Sequence, residues 1–103
     1  MIRTATAVWN GSALEGSGTF SVGSGVLGSI PFSFAQRFGD EPGTNPEELI
    51  AAAHASCFSM ALSFGLGNAG HPPERVSTDA KLTMEKQPDG WAVTAVHLTV
   101  RAK

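Results

Sequence analysis

Cysteine occurs once in this chain, at Cys57. One thiol cannot close an internal disulfide, so a disulfide-stapled scaffold is excluded and the residue has two possible fates: a small apolar member of the core, or a reactive group. Charge is also sparse. Only 16% of the residues are charged, the formal net charge is −2, and no segment clusters Lys and Arg as a phosphate backbone would require, so a nucleic-acid partner is not expected. The N-terminus holds Arg3 but no apolar run of the kind a signal peptide needs, and a cytoplasmic protein is expected. His54, His71 and His97 fall on different segments with no second cysteine at ligand spacing, which argues against a metal site. The glycine-rich N-terminal stretch joins short apolar runs and does not open a helix, so no nucleotide cofactor is implied.

What remains is a chain fit to fold. Its composition is 42% hydrophobic, with 12 Gly and 6 Pro, unlike the polar, highly charged profile of disorder. At 103 residues it reads as one domain, 1–103, whose core is modest enough that an oligomer contact would help it. The first third alternates β-favouring runs with Gly and Ser and predicts strands over Thr4–Trp9, Thr19–Val22 and Ser29–Phe34. Arg37 to Gly43 then reads as a loop, by its Gly, Pro and Asp content.

Thr44-Asn45-Pro46-Glu47-Glu48 is the clearest local signal. Asn45 suits an N-cap, Pro46 the first helical position, and Glu48 the third, from which it can reach back to the cap. The following residues, Leu49 to Leu66, present no wholly polar face and no charge, predicting a helix buried nearly all round. The length would suit a membrane span, but His54, Ser56, Ser59, Ser63, Gly65 and the alanines make it weakly apolar, and no membrane is expected. Gly65, Gly67, Asn68 and Gly70 offer stops before His71-Pro72-Pro73.

The last stretch alternates twice: Ala80, Leu82 and Met84, then Ala92, Thr94, Val96, Leu98 and Val100, with Gln87-Pro88-Asp89-Gly90 between as a hairpin turn. Strands, one long helix, then strands give an α+β class with antiparallel strands packed on the helix.

Cys57 sits in mid-helix between Ser56 and Phe58. By pattern alone it is an inert core thiol, because apolar burial disfavours the thiolate. A reactive thiol needs a nearby cation or helix N-terminus, and the N-terminus at Pro46 is about 16 Å away at 1.5 Å per residue. A cation would have to come from elsewhere. Taken alone, Arg37 is a solvated surface residue, Glu47 a first-turn carboxylate favoured by the helix dipole, and His54 a polar residue with a hydrogen-bond partner in a core.

The run from Gly43 to Leu62, with Asn45-Pro46-Glu47-Glu48 opening it and His54-Ala55-Ser56-Cys57 inside it, resembles the central-helix signature of the OsmC/Ohr family of peroxidases. The likeness extends through Trp9, Gly16, Gly18, Ser24-Gly25-Val26-Leu27, Phe34-Ala35-Gln36-Arg37-Phe38 and Asn68-Ala69-Gly70, and is nearer to the OsmC branch. It implies that Cys57 is the peroxidatic residue, attacking a hydroperoxide oxygen to give a sulfenic acid. It implies that Arg37 stabilises the thiolate and hydrogen-bonds the peroxide, and that Glu47 holds Arg37 while Glu48 caps the helix. The implied function is thiol-dependent reduction of organic hydroperoxides in stress defence, at the expense of an external thiol reductant and without a cofactor. A direct role for His54 is not implied.

Members of the family carry a second, resolving cysteine beyond the central hairpin. This sequence ends at Lys103 without one, so the chain is expected to be C-terminally truncated. The competing class is a non-catalytic dimeric stress protein or small-molecule-binding protein with an inert core thiol. Phe32, Phe34, Phe38, Phe58 and Phe64 could wall a pocket for an organic peroxide.

Geometry adds an expectation of its own. On one unbroken helix Glu47 and Cys57 are about 15 Å apart along the axis and point roughly 280° apart, so one Arg37 cannot easily serve both. An intertwined homodimer, in which Glu47 comes from a second subunit, resolves this and covers the far side of the helix.

Overall fold

Short alternating runs separated by glycine fold the first third of the chain into an antiparallel sheet. The computed structural model describes residues 1–103, and the chain divides into two compact units, Met1–Pro46 and Glu47–Lys103. In the first unit β1 (Ala5–Asn10), β2 (Ser17–Val22) and β3 (Ile30–Phe32) form a sheet in the order β1-β2-β3. The register pairs Trp9 with Gly18 and Gly18 with Phe32, so these three residues form one row across the sheet. Side chains alternate between faces, and Ala7, Phe20 and Ile30 therefore share the apolar face with that row.

The third strand is shorter than the sequence suggests. Phe34 leaves it to begin α1 (Phe34–Phe38), which also takes in Arg37, read above as the start of a loop. Ser33 caps this helix, its Oγ accepting from the Gln36 backbone N–H at 3.3 Å. Ser33-Phe34-Ala35-Gln36 has the spacing of a capping box, a signal the strand-like Ile30-Pro31-Phe32 run before it obscures. The Gln36 side chain does not complete the box; its Nε2 donates to Pro42 O at 3.0 Å, and Asn45 Nδ2 donates to Gln36 O at 3.2 Å. Gln36 thus ties down both ends of the connection out of α1.

The second unit holds α2 (Pro46–Asn68), β4 (Val76–Gln87) and β5 (Gly90–Ala102). The helix starts at Pro46, as the sequence indicates, and ends in a Schellman motif. His71 N–H donates to Leu66 O at 2.8 Å and Gly70 N–H to Gly67 O at 3.0 Å, with Gly70 at φ 87°, a conformation that favours a residue without Cβ. Its serines are satisfied locally: Ser56 Oγ donates to Ala52 O at 2.8 Å, and Ser59 Oγ lies 2.9 Å from Ala55 O and 2.7 Å from Thr78 Oγ1 on β4.

β4 and β5 form an antiparallel ribbon whose two-residue turn is Pro88-Asp89. One expectation changes here. The register shifts between Thr83 and Met84, leaving Thr94 as the extra residue of a β-bulge, with its hydroxyl 2.9 Å from Glu85 Oε1. Val96 and Leu98 keep the face of Leu82 and Ala80. Beyond the bulge the faces exchange, so Val93 and Trp91 stand across from Met84 and Lys86, in place of the expected Thr94 and Ala92.

The expectation of a helix buried nearly all round does not hold within this chain. No apolar side chain anywhere in it is buried, and Glu47 is the one buried residue of α2. The reason is that a two-stranded ribbon has one face to offer. At about 100° per residue, the half-buried Ala51, Ala55, Ser59, Leu62 and Leu66 lie on one side of α2, the side on which Ser59 meets Thr78. Ile50, Ala53, Cys57, Met60, Ala61 and Phe64 lie on the opposite side and are exposed. By length and composition α2 could also cross a membrane, with a mean hydropathy of 1.6 over its most apolar window.

Candidate functional site

Cys57 lies at the centre of the uncovered side of α2, a free and exposed thiol. Met60 follows one turn later at 74% exposure and Phe64 two turns later at 72%, so the thiol stands in an apolar stripe. His54 is on the same side, three residues before it, and exposed. Within the single chain nothing encloses this thiol.

Glu47 is in the first turn of the same helix and is buried, with 9% of its surface accessible. A carboxylate so enclosed has to be matched by hydrogen bonds or a cation. Because α2 runs unbroken from Pro46 to Asn68, Glu47 and Cys57 of one chain stay about 15 Å apart along its axis. The helix therefore keeps these two residues of the expected triad separate.

Arg37 belongs to the first unit, in the last turn of α1, with its guanidinium carbon 5.1 Å from the centroid of the Phe38 ring. Phe38 in turn lies 4.8 Å, centroid to centroid, from Phe34. Both rings and Arg37 line a cleft of about 450 Å³ together with Trp9, Phe32 and the backbone near Gly11. Three of the five phenylalanines assigned to an apolar pocket thus meet here, Phe32, Phe34 and Phe38, whereas Phe58 and Phe64 are on α2. Trp9 was missed as a wall of this cleft. Its signal was its place at the end of an alternating strand, with the only large ring of that strand on the apolar face.

No group of three or more His, Cys, Asp or Glu side chains is arranged to hold a metal ion.

Comparison with known proteins bears on the family and the fold. The chain is 51% identical over 92 residues to the protein named Peroxiredoxin OsmC of Escherichia coli (strain K12), an alignment that covers 89% of this chain and 64% of that protein. The Peroxiredoxin OsmC of Shigella flexneri matches to the same extent. This chain thus spans about 64% of the length of the curated relatives it matches. Among solved structures, an organic hydroperoxide resistance protein OsmC of Legionella pneumophila superposes with a TM-score of 0.75 at 25% identity, over 96% of this chain and 70% of that one. The organic hydroperoxide resistance protein OhrB of Bacillus subtilis gives 0.73 at 25% identity, over 97% and 72%. The mixed α+β architecture, antiparallel strands with one main helix, is that of these proteins. The pattern of the family described as OsmC-like protein matches residues 39–103, well over half of the sequence, and the chain belongs to that family.

Proposed function

We propose that this chain carries the activity of a cysteine-based peroxidase that acts on organic hydroperoxides in stress defence. The observation that carries the reading is the free thiol of Cys57 in the middle of α2, in a family whose curated relatives are named peroxiredoxins. The Cys57 thiolate attacks the terminal oxygen of the hydroperoxide. An S–O bond forms, the O–O bond breaks, and the alkoxide leaves and takes a proton from solvent, so that one sulfenic acid and one alcohol result. An external thiol then attacks the sulfenic sulfur and expels water, and a second thiol frees Cys57 as the reductant's disulfide leaves. No cofactor takes part. The Arg37 guanidinium stabilises the thiolate and the departing oxygen; Glu47 orients Arg37.

The same reading includes a homodimer with its sites at the subunit contact, in the cytoplasm, with α2 enclosed between chains and not in a bilayer. The side of α2 that bears Cys57 is the uncovered one. A second chain laid against it brings its own first helical turn, with Glu47, toward a thiol that the chain's own Glu47 cannot reach.

The test is consumption of an organic hydroperoxide by the chain with dithiothreitol as reductant, alongside trapping of the sulfenic acid by dimedone. The parent is expected to consume peroxide and to gain one dimedone adduct at Cys57, and Cys57→Ser to do neither. A parent that consumes no peroxide overturns the reading in favour of a non-catalytic binding protein.

A further inference from the structure

We infer that Gly18 positions an aryl-selective pocket: by having no side chain it lets Trp9 and Phe32 meet across β2 and form the aromatic wall of the 450 Å³ cleft, which takes the ring of an aromatic hydroperoxide. The inference rests on the proposed function for the identity of the ligand, and on the first unit alone for its geometry.

Gly18 is buried at the centre of the three-stranded row, opposite Trp9 on one side and Phe32 on the other. The Trp9 and Phe32 centroids are 5.4 Å apart at an interplanar angle of 45°, a contact between residues two strands apart that exists only because the strand between them carries no side chain. A Cβ built on Gly18 would stand 2.6 Å from Trp9 Cε3 and 2.8 Å from both Cε1 and Cζ of Phe32. Neither ring is the loose end of a flexible chain. Trp9 is pinned by its indole N–H, which points to Gly11 O at 3.1 Å and Ser12 O at 3.3 Å, and Phe32 by Phe20 at 6.1 Å. Even one methyl group at position 18 therefore displaces the wall. The cleft is of the size that takes a small organic ligand. Its rings offer faces and edges that suit a flat aromatic body better than a flexible alkyl chain, and Arg37 stands at the same cleft to meet the polar end.

The experiment uses the Cys57→Ser chain, which cannot turn over, and 2-phenyl-2-propanol, the alcohol left by reduction of the corresponding aryl hydroperoxide, against a straight-chain alcohol of equal carbon number. Binding is read from the Trp9 indole N–H signal in the NMR spectrum, told from that of Trp91 by its loss in Trp9→Phe. The Trp9 signal is expected to shift with the aryl alcohol at lower concentration than with the alkyl one. Gly18→Ala is expected to weaken the aryl alcohol about tenfold, the lower end of what one misplaced methyl group does in an apolar pocket. Phe32→Leu removes one ring without loading β2 and is expected to abolish the aryl preference, which decides the matter if Gly18→Ala does not fold. A Trp9 signal indifferent to both alcohols, or an aryl preference that survives in Phe32→Leu or in folded Gly18→Ala, overturns the inference. Failure of the peroxidase reading shows separately, as a Cys57 chain that binds the alcohol through Trp9 but consumes no peroxide.

Discussion

Phe64→Asp puts a charge into the uncovered stripe of α2, seven residues beyond Cys57, and tests whether that stripe is covered by a second chain. Phe64 has 72% of its surface exposed in the single chain. A phenylalanine encloses about 200 Å², so closing the rest of it removes about 140 Å² from water, worth about 3.5 kcal/mol at roughly 25 cal/mol per Å². A two-fold contact counts the residue twice, about 7 kcal/mol as an upper bound, and a third of that already moves the dissociation constant about fiftyfold. Replacement by aspartate also leaves a carboxylate to be desolvated if the contact is to form. The assay is sedimentation equilibrium over a dilution series. The parent is expected at twice its 10.7 kDa chain mass, and Phe64→Asp at 10.7 kDa over the same concentrations. A parent that sediments as a 10.7 kDa species and still melts cooperatively refutes the reasoning, as does a Phe64→Asp chain that associates as tightly as the parent.

Four further outcomes are expected. Arg37→Ala should slow hydroperoxide consumption about a hundredfold, the usual loss when one donor to a developing oxyanion is removed, and an unchanged rate would show that the cation is supplied elsewhere. Glu48→Ala should lower stability by about 0.5 to 1 kcal/mol in a thermal melt while activity survives, as loss of half a capping box does. Glu47→Ala should instead lower the rate, and an exchange of these two phenotypes would reverse the roles of the carboxylates. Mixing inactive Cys57→Ser and Glu47→Ala chains under conditions of subunit exchange should restore part of the parent's activity if each site takes Cys57 from one chain and Glu47 from the other; a mixture as inactive as its components places each site within one chain.

Local signals carried what local physics decides. Pro46 at the first helical position and Gly70 in the left-handed conformation mark α2 at both ends, and each acts through its own backbone, so the sequence determined the helix to within two residues. Pro-Asp-Gly fixed the hairpin turn in the same way. The Asn45-to-Cys57 run and the Phe34-to-Phe38 stretch, through their likeness to the family, offered Cys57, Glu47 and Arg37 as candidates without any coordinates. Other features depend on what lies across a strand or beside a helix, and no window of sequence holds both partners. The bulge at Thr94 exchanged the faces of β5 for reasons that reside in its pairing with β4. The capping-box spacing at Ser33 was visible, but whether it or the preceding apolar run would prevail was decided where β3 ends against β2. Gly18 looked like one spacer among many until the register set it between Trp9 and Phe32. The exposure of Cys57 was likewise beyond the sequence: an apolar helix has no polar face to mark its outside, and only the ribbon that meets it at Ser59 determines which side is left open.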